Sequence, residues 1–251
     1  KLDDNRGTFY CFGCHESGDI FSLIMKKEGV DFSTAVEILA KKAGVELEEA
    51  SSSYNKDEAK KRREEKENLY DLYSRLSNAF HYLLVSSKEG DNAREYLKKR
   101  NVSQEMIEKF QLGYAPFNKD WLYNFLKNKG YSDAFLKQSG LFSQKSEKWP
   151  LFRGRLMFPI RDRQGRTIAF SGRDLTGDEK APKYINSPET QIYQKKENYF
   201  GLYEAKNTIA EGKIGPILCE GNFDVVSMHQ AGYTSAIASL GTSFTNEQCA
   251  N

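Results

Sequence analysis

The sequence predicts an α+β arrangement that leads into an α/β unit. Three observations carry this reading. Apolar residues recur at helical spacing between Leu69 and Leu84. Strand-forming runs 155–162 and 166–171 flank Gln164-Gly165, the pattern of a β-hairpin. Ile217-Leu218-Cys219, a helix-prone 224–231 and the apolar run 235–242 make a strand–helix–strand unit with a right-handed crossover.

A chain of 251 residues has room for two or three modest domains. A net charge of +2, with 29% charged and 39% hydrophobic residues, is an ordinary soluble balance. Any anion binding must therefore come from locally clustered charge. No apolar run is long enough to span a bilayer, and no signal peptide is visible. Four cysteines, two of them in one Cys-x-x-Cys, do not form a disulfide framework, so a reduced, cytoplasmic setting is expected. The chain begins at Lys1 without Met, and Thr245 to Asn251 reads as the opening of an unfinished helix. Both ends read as cut from a longer chain.

In chain order, Phe9-Tyr10-Cys11-Phe12-Gly13-Cys14-His15 comes first. Two cysteines on a turn after a β-prone pair have the shape of a zinc knuckle. The same spacing serves a c-type haem site through Cys11, Cys14 and His15, or a redox pair. Gly18-Asp19 introduces one helix. A second carries Phe32, Ala35, Val36, Leu39 and Ala40 on its apolar face and closes at Gly44. These helices read as packing against the knuckle. The polar stretch 48–67, with Lys60-Lys61-Arg62-Arg63, reads as a linker running into a solvated helix start.

The next stripe is Leu69, Leu72, Tyr73, Leu76, Phe80, Leu83 and Leu84. Shorter helices follow over 93–100, 103–110, 121–129 and 132–138, with Ser103 as an N-cap. Gly113-Tyr114-Ala115-Pro116 is expected to break the series. His81 and His229 read as structural.

The hairpin is unusually basic, with Arg153, Arg155, Arg161, Arg163, Arg166 and Arg173 on or beside its strands. Pro182 to Thr190 is a proline-bounded loop, followed by Lys195-Lys196. Arginines on strands and pinned loops suit a groove for phosphodiester or nucleotide phosphates. Tyr184, Tyr193 and Phe200 are candidates to stack on bases. At the end of Ile217-Leu218-Cys219 stands Glu220, then Gly221, then Asp224 in the first turn of a helix. A carboxylate at the C-terminal end of a buried strand is where α/β folds place chemistry. Both carboxylates are hard oxygen donors of the kind Mg²⁺ takes.

Taken together, these motifs closely resemble bacterial DNA primase of the single-subunit replicative type, over nearly the whole chain. Tyr10-Cys11-Phe12-Gly13-Cys14 looks like the second half of that family's zinc ribbon. Arg155-Leu156-Met157-Phe158-Pro159-Ile160 and Phe170-Ser171-Gly172-Arg173 look like its basic core motifs, and 182–190 is close to its signature loop. Glu220 to Val225 looks like the acidic motif that opens the Toprim fold, and Leu240-Gly241-Thr242 is similar to the end of its second strand.

The resemblance implies a partial zinc ribbon, an α-rich mixed basic subdomain and the start of a Toprim α/β domain. It implies zinc on Cys11 and Cys14. Arg153, Arg155, Arg173, Lys183, Asn186 and Lys195 would line the template and nucleotide groove. Glu220 would hold Mg²⁺ or Mn²⁺ or act as general acid/base, with Asp224 close by. The implied domains are 1–47 (zinc-binding part), 48–67 (linker), 68–212 (N-terminal subdomain of the catalytic core) and 213–251 (beginning of Toprim). The implied function is template-directed synthesis of short RNA primers from NTPs on single-stranded DNA. A replicative helicase and a single-strand-binding protein would be partners, and no membrane. With half of each metal site, the piece by itself is expected to be inactive. Rival readings are a non-enzymatic single-strand-binding or recombination module on a Toprim frame, or another Toprim enzyme such as a nuclease or topoisomerase. The chain departs from the family pattern at three places. Pro150-Leu151 precede Phe152-Arg153 where an Asp-Arg pair is usual, His15 stands where Gly is usual, and Asn222 where bulkier residues are common.

Overall fold

The computed structural model describes residues 2–3, 7–13, 16–28, 30, 32–45, 56–143, 146–212 and 214–241. Strands Leu2–Asp3 (β1), Thr8–Tyr10 (β2) and Ser17–Asp19 (β3) form an antiparallel sheet in that order. Cys11 sits exposed on the turn after β2, its N–H donating to the Glu16 carbonyl at 2.7 Å. Cys14 and His15 lie outside the described residues. Asp19 starts helix α1 (Ile20–Glu28) as its sequence position predicts. Its carboxylate accepts from the N–H and the hydroxyl of Ser22 at 2.8 and 2.7 Å, which lowers its pKa. Helix α2 (Phe32–Ala43) packs on α1 through Ile24, Val30 and Ala35. Phe32, expected on the packed face, is exposed, with its ring 5.5 Å from that of Phe21.

Helix α3 (Lys56–Ser86) takes in the second part of the polar stretch and runs 31 residues. All seven residues of its predicted stripe are buried. A 3-10 turn over Lys88–Gly90 leads to α4 (Asp91–Lys99), α5 (Gln104–Lys109), β4 (Gly113–Ala115), α6 (Trp121–Asn128), α7 (Asp133–Gln138), β5 (Phe142–Ser143) and β6 (Ser146–Pro150). Ser103 and Ser132 cap α5 and α7, accepting from the N–H groups of Met106 and Phe135 at 3.3 Å. The Gly113 segment does interrupt the helices, and it does so as a strand. Its partner lies about forty residues on, and three residues are too few to show alternation in the sequence.

Strands β7 (Arg155–Arg161), β8 (Thr167–Asp174) and β9 (Tyr184–Asn186) complete an antiparallel sheet in the order β4-β7-β8-β9. Gly165 supplies φ +86° at the hairpin turn. Helix α3 lies on this sheet, with the Tyr73 ring stacked 5.5 Å from Phe170 and Phe80 edge-on to the same ring. The two central strands do not alternate between core and solvent. Positions 155–160 and 167–172 are buried throughout, because both faces are covered.

A 3-10 turn over Lys195–Glu197 precedes β10 (Tyr199–Phe200), α8 (Leu202–Ala210), β11 (Ile217–Cys219), α9 (Asn222–Gln230) and β12 (Ala236–Ser239). Strands β11 and β12 are parallel and in register, Ile217 to Ala236 and Cys219 to Ala238, as the strand–helix–strand reading requires. The short β10 adds antiparallel on the other side of β12, giving β10-β12-β11. Strand β11 is thus the outer one of these three, and Leu218 is 51% exposed rather than buried as expected. Val225 and Val226 of α9 are fully buried, and Phe223 meets Phe158 of β7 edge-on at 5.1 Å. The βαβ unit therefore shares one core with the basic sheet. His229 is structural, as read: it is buried and its Nε2–H donates to the Ala236 carbonyl at 3.0 Å. His81 bonds the Leu112 carbonyl through Nδ1. Among the described residues no helix is long and apolar enough to cross a membrane.

Candidate functional site

An open cleft of about 490 Å³ lies where the edge of the basic sheet meets the C-terminal ends of β11 and β12. Its acidic wall is Glu220 to Asp224. Gly221, at the N-cap of α9, has φ −149°, and its carbonyl accepts from the N–H groups of Asp224 and Val225 at 3.1 and 3.2 Å. The helix thus starts at once, and Asp224 falls in its first turn, where the helix dipole favours a carboxylate. A Cβ built on Gly221 would lie 3.5 Å from Asp224 Oδ2, so that carboxylate lies close over the turn carrying Glu220. Burial first, then the charge of Asp224, push the Cys219 thiol above its ordinary pKa.

Arg173, Lys183, Asn186 and Lys195 face these carboxylates in the same cleft. Four of the six expected groove residues are therefore brought together with both acidic residues. Asn186 makes a specific bond there: its Nδ2 donates to the Leu240 carbonyl at 2.9 Å. Arg100, unforeseen in the sequence, also lines the cleft. It is the C-cap residue of α4, at the end of the run Lys98-Lys99-Arg100, which reads as an ordinary basic helix end.

Arg153 and Arg155 do not line the cleft. Arg155 is 4% exposed, and its Nη1 donates to the Gly172 and Pro182 carbonyls, both at 3.0 Å. Its Nη2 lies 3.7 Å from Asp174, and burial lowers its pKa. It lies beneath the loop rather than in the groove, tying β8 to Pro182. Gly172 makes this possible: a Cβ there would come within 2.8 Å of the Phe152 ring and 3.1 Å of Arg155 Cδ. Arg153 is drawn to aromatic rings, 4.7 Å from the centroid of Phe117 and 4.6 Å from that of Trp149. Arg161 pairs with Glu204 at 3.2 Å, and Arg166 with Asp162 at 2.7 Å. Much of the basic density in the hairpin is thus already matched by carboxylates. Of the expected stacking residues, Tyr184 lies at the cleft, whereas Tyr193 and Phe200 are each 1% exposed and belong to the core.

The cleft joins clustered cations to two hard oxygen donors on a parallel βαβ unit. That combination has the chemistry to take phosphate groups together with a divalent metal. Among the described residues no group of three or more His, Cys, Asp and Glu side chains comes together. Glu220 and Asp224 fit a metal shared with the ligand's phosphates rather than a closed protein cage. The family model of the DNA primase catalytic core, N-terminal domain, matches residues 80–206, half the chain, and the chain belongs to that family. The CHC2 zinc finger matches 1–55 and brings Zn²⁺ as a cofactor, and the Toprim domain matches 216–251 and brings Mg²⁺. The chain is 38% identical to the DNA primase of Borreliella burgdorferi over 98% of its own length and 46% of the relative's. The zinc-binding and RNA polymerase domains of Aquifex aeolicus primase superpose with a TM-score of 0.65 at 34% identity, covering 98% of this chain and 57% of that one. The RNA polymerase domain of Mycobacterium tuberculosis primase, solved with a DNA duplex bearing a six-nucleotide overhang, gives 0.68 at 34% identity, covering 73% and 57%. The chain spans 46% and 39% of the length of the Borreliella burgdorferi and Treponema pallidum DNA primases.

Proposed function

We propose that this chain is part of a DNA primase that makes short RNA primers from NTPs on single-stranded DNA by Mg²⁺-dependent nucleotidyl transfer. The supporting observation is the placement of Glu220 and Asp224 across one cleft from Arg173, Lys183 and Lys195. In this reading 1–47 are the zinc-binding part, with Cys11 and Cys14 as ligands, and 48–67 join it to the core. Residues 68–212 form the N-terminal subdomain of the core, and 213–251 begin the Toprim unit.

Arg100, Arg173, Lys183 and Lys195 take phosphate oxygens of the nucleotide and template, and the arginine forks fix their orientation. Glu220, with Asp224 beside it, would hold Mg²⁺, which would supply positive charge at the reacting phosphate and lower the pKa of the attacking 3′-hydroxyl. The O3′–Pα bond forms as the bond from Pα to the pyrophosphate breaks. Glu220 holds the ion or accepts the hydroxyl proton, and Asp224 sits beside it. Single-stranded DNA as template is supported by a solved relative at 38% identity, a DnaG primase catalytic domain bound to ssDNA. A replicative helicase and a single-strand-binding protein are the partners the family resemblance implies, in the cytoplasm.

The test is primer synthesis by the parent protein on a single-stranded template with labelled ribonucleotides and Mg²⁺, beside Glu220→Gln. Short oligoribonucleotides from the wild type and none from the variant, at equal template affinity, support the reading. Template binding with no product from either protein makes the cleft a binding module and removes the catalytic role of Glu220.

A further inference from the structure

Arg100 and Arg173 are held by aromatic rings, as Arg153 is outside the cleft, and not by carboxylates. Arg155, Arg161 and Arg166 each lie against a carboxylate. Among the described residues Arg100 and Arg173 have no such ion pair; rings hold them instead. The Arg173 guanidinium lies 5.4 Å from the centroids of both Tyr96 and Tyr184. That of Arg100 lies 5.5 Å from Tyr96 and 5.4 Å from Phe223. Tyr96 and Phe223 meet edge-on at 5.8 Å. One ring on α4 is therefore shared by two cations, one from the end of its own helix and one from β8.

The physics of this arrangement is specific. Two guanidinium groups near one another repel, and left alone they swing apart into solvent. An aromatic face attracts both through its quadrupole and fixes their separation. A carboxylate would also hold them, but it would cancel their charge and occupy their donors. The ring leaves the positive charge uncancelled for a phosphate. The Tyr96 hydroxyl is buried without a hydrogen-bond partner among the described residues, so the ring is the part in use.

We propose that Tyr96 is a positioning residue: it holds Arg100 and Arg173 at a fixed spacing, uncancelled, for the triphosphate of the incoming nucleotide. This rests on the nucleotidyl-transfer reading above.

The experiment uses the parent protein as wild type, Tyr96→Phe and Tyr96→Leu. Mg·ATP binding is measured by calorimetry, and KM and kcat by primer synthesis. Tyr96→Leu is expected to weaken Mg·ATP binding and raise the nucleotide KM by roughly five-fold, with kcat within about two-fold. Tyr96→Phe, which keeps the ring, stays within about two-fold of wild type in both. Tyr96→Met, an unbranched filler, gives the same result as leucine and serves if the leucine variant does not fold. The role is overturned by unchanged nucleotide affinity in Tyr96→Leu or Tyr96→Met, by equal impairment of Tyr96→Phe, or by a wild type that does not bind Mg·ATP. It is also overturned if kcat alone falls. A wild type that binds Mg·ATP but makes no primer removes the primase reading, and the calorimetric comparison still decides the role of Tyr96.

Discussion

Asn186 Nδ2 donates to the Leu240 carbonyl at 2.9 Å, and this bond joins the basic sheet to the βαβ unit across the floor of the cleft. It links the end of β9 to the end of β12. An asparagine expected to face the ligand is thus also a clip between the two walls. Asn186→Asp removes the donor and sets a carboxylate against a carbonyl. It should lower stability by about 1–3 kcal/mol, with Asn186→Ala at the low end. Denaturant unfolding of the two variants checks the order.

Arg155 is bound by two carbonyls and faces Asp174 in a nearly closed environment. Arg155→Ala leaves Asp174 and the Pro182 carbonyl without that partner and should cost about 3–5 kcal/mol, the range for breaking a buried pair. The first symptom would be a lowered melting temperature, not a reduced salt dependence of DNA binding. A variant with wild-type stability and weakened binding would place Arg155 in the groove after all.

Lys183 lines the cleft and Arg153 does not. Lys183→Ala should lower the slope of log K against log salt for single-stranded DNA by about 0.7, the loss of one phosphate contact. Nucleotide affinity should fall with it. Arg153→Ala should leave Mg·ATP affinity within about two-fold, because its guanidinium stacks on Phe117 and Trp149 away from the carboxylates. Titrations at three salt concentrations separate the two.

His229 is buried, and burial pulls its pKa below the ordinary 6.5. The unfolded chain then binds the proton more readily than the folded one. The stability from neutral His229 is present in full above pH 6.5 and is lost as acidification carries the pH down through the folded pKa. A His229→Gln variant should show a flatter loss of stability below pH 6.5, measured by urea unfolding at successive pH values.

Much of the frame was legible because it rests on local periodicity. The stripe from Leu69 to Leu84 became the buried face of α3, and the hairpin turn fell at Gly165. Glu220 and Asp224 fall at the strand end and the helix start where they were read, because a strand, a glycine and a helix start fix the chain within a few residues. What escaped depends on distant partners. Arg155 carries the same charge as Arg173, yet Asp174 and the carbonyl of Pro182 draw it inward. Tyr193 and Phe200 share the chemistry of Tyr184 but are buried in the core. Strands β4 and β10 are two or three residues long and exist through partners far along the chain. Arg100 was hidden in a basic helix end that solvent alone would explain.

Helix α3 has two unlike halves within one continuous ladder of hydrogen bonds. Over residues 69–84 its apolar face is sealed against the sheet, whereas residues 60–68 are largely in contact with solvent. Amide protons in the sealed half can exchange with deuterium only when the whole core opens, whereas those in the outer turns need only fraying from one end. A single helix would then display an exchange gradient of several kcal/mol, and the boundary near Leu69 would mark where cooperative folding begins.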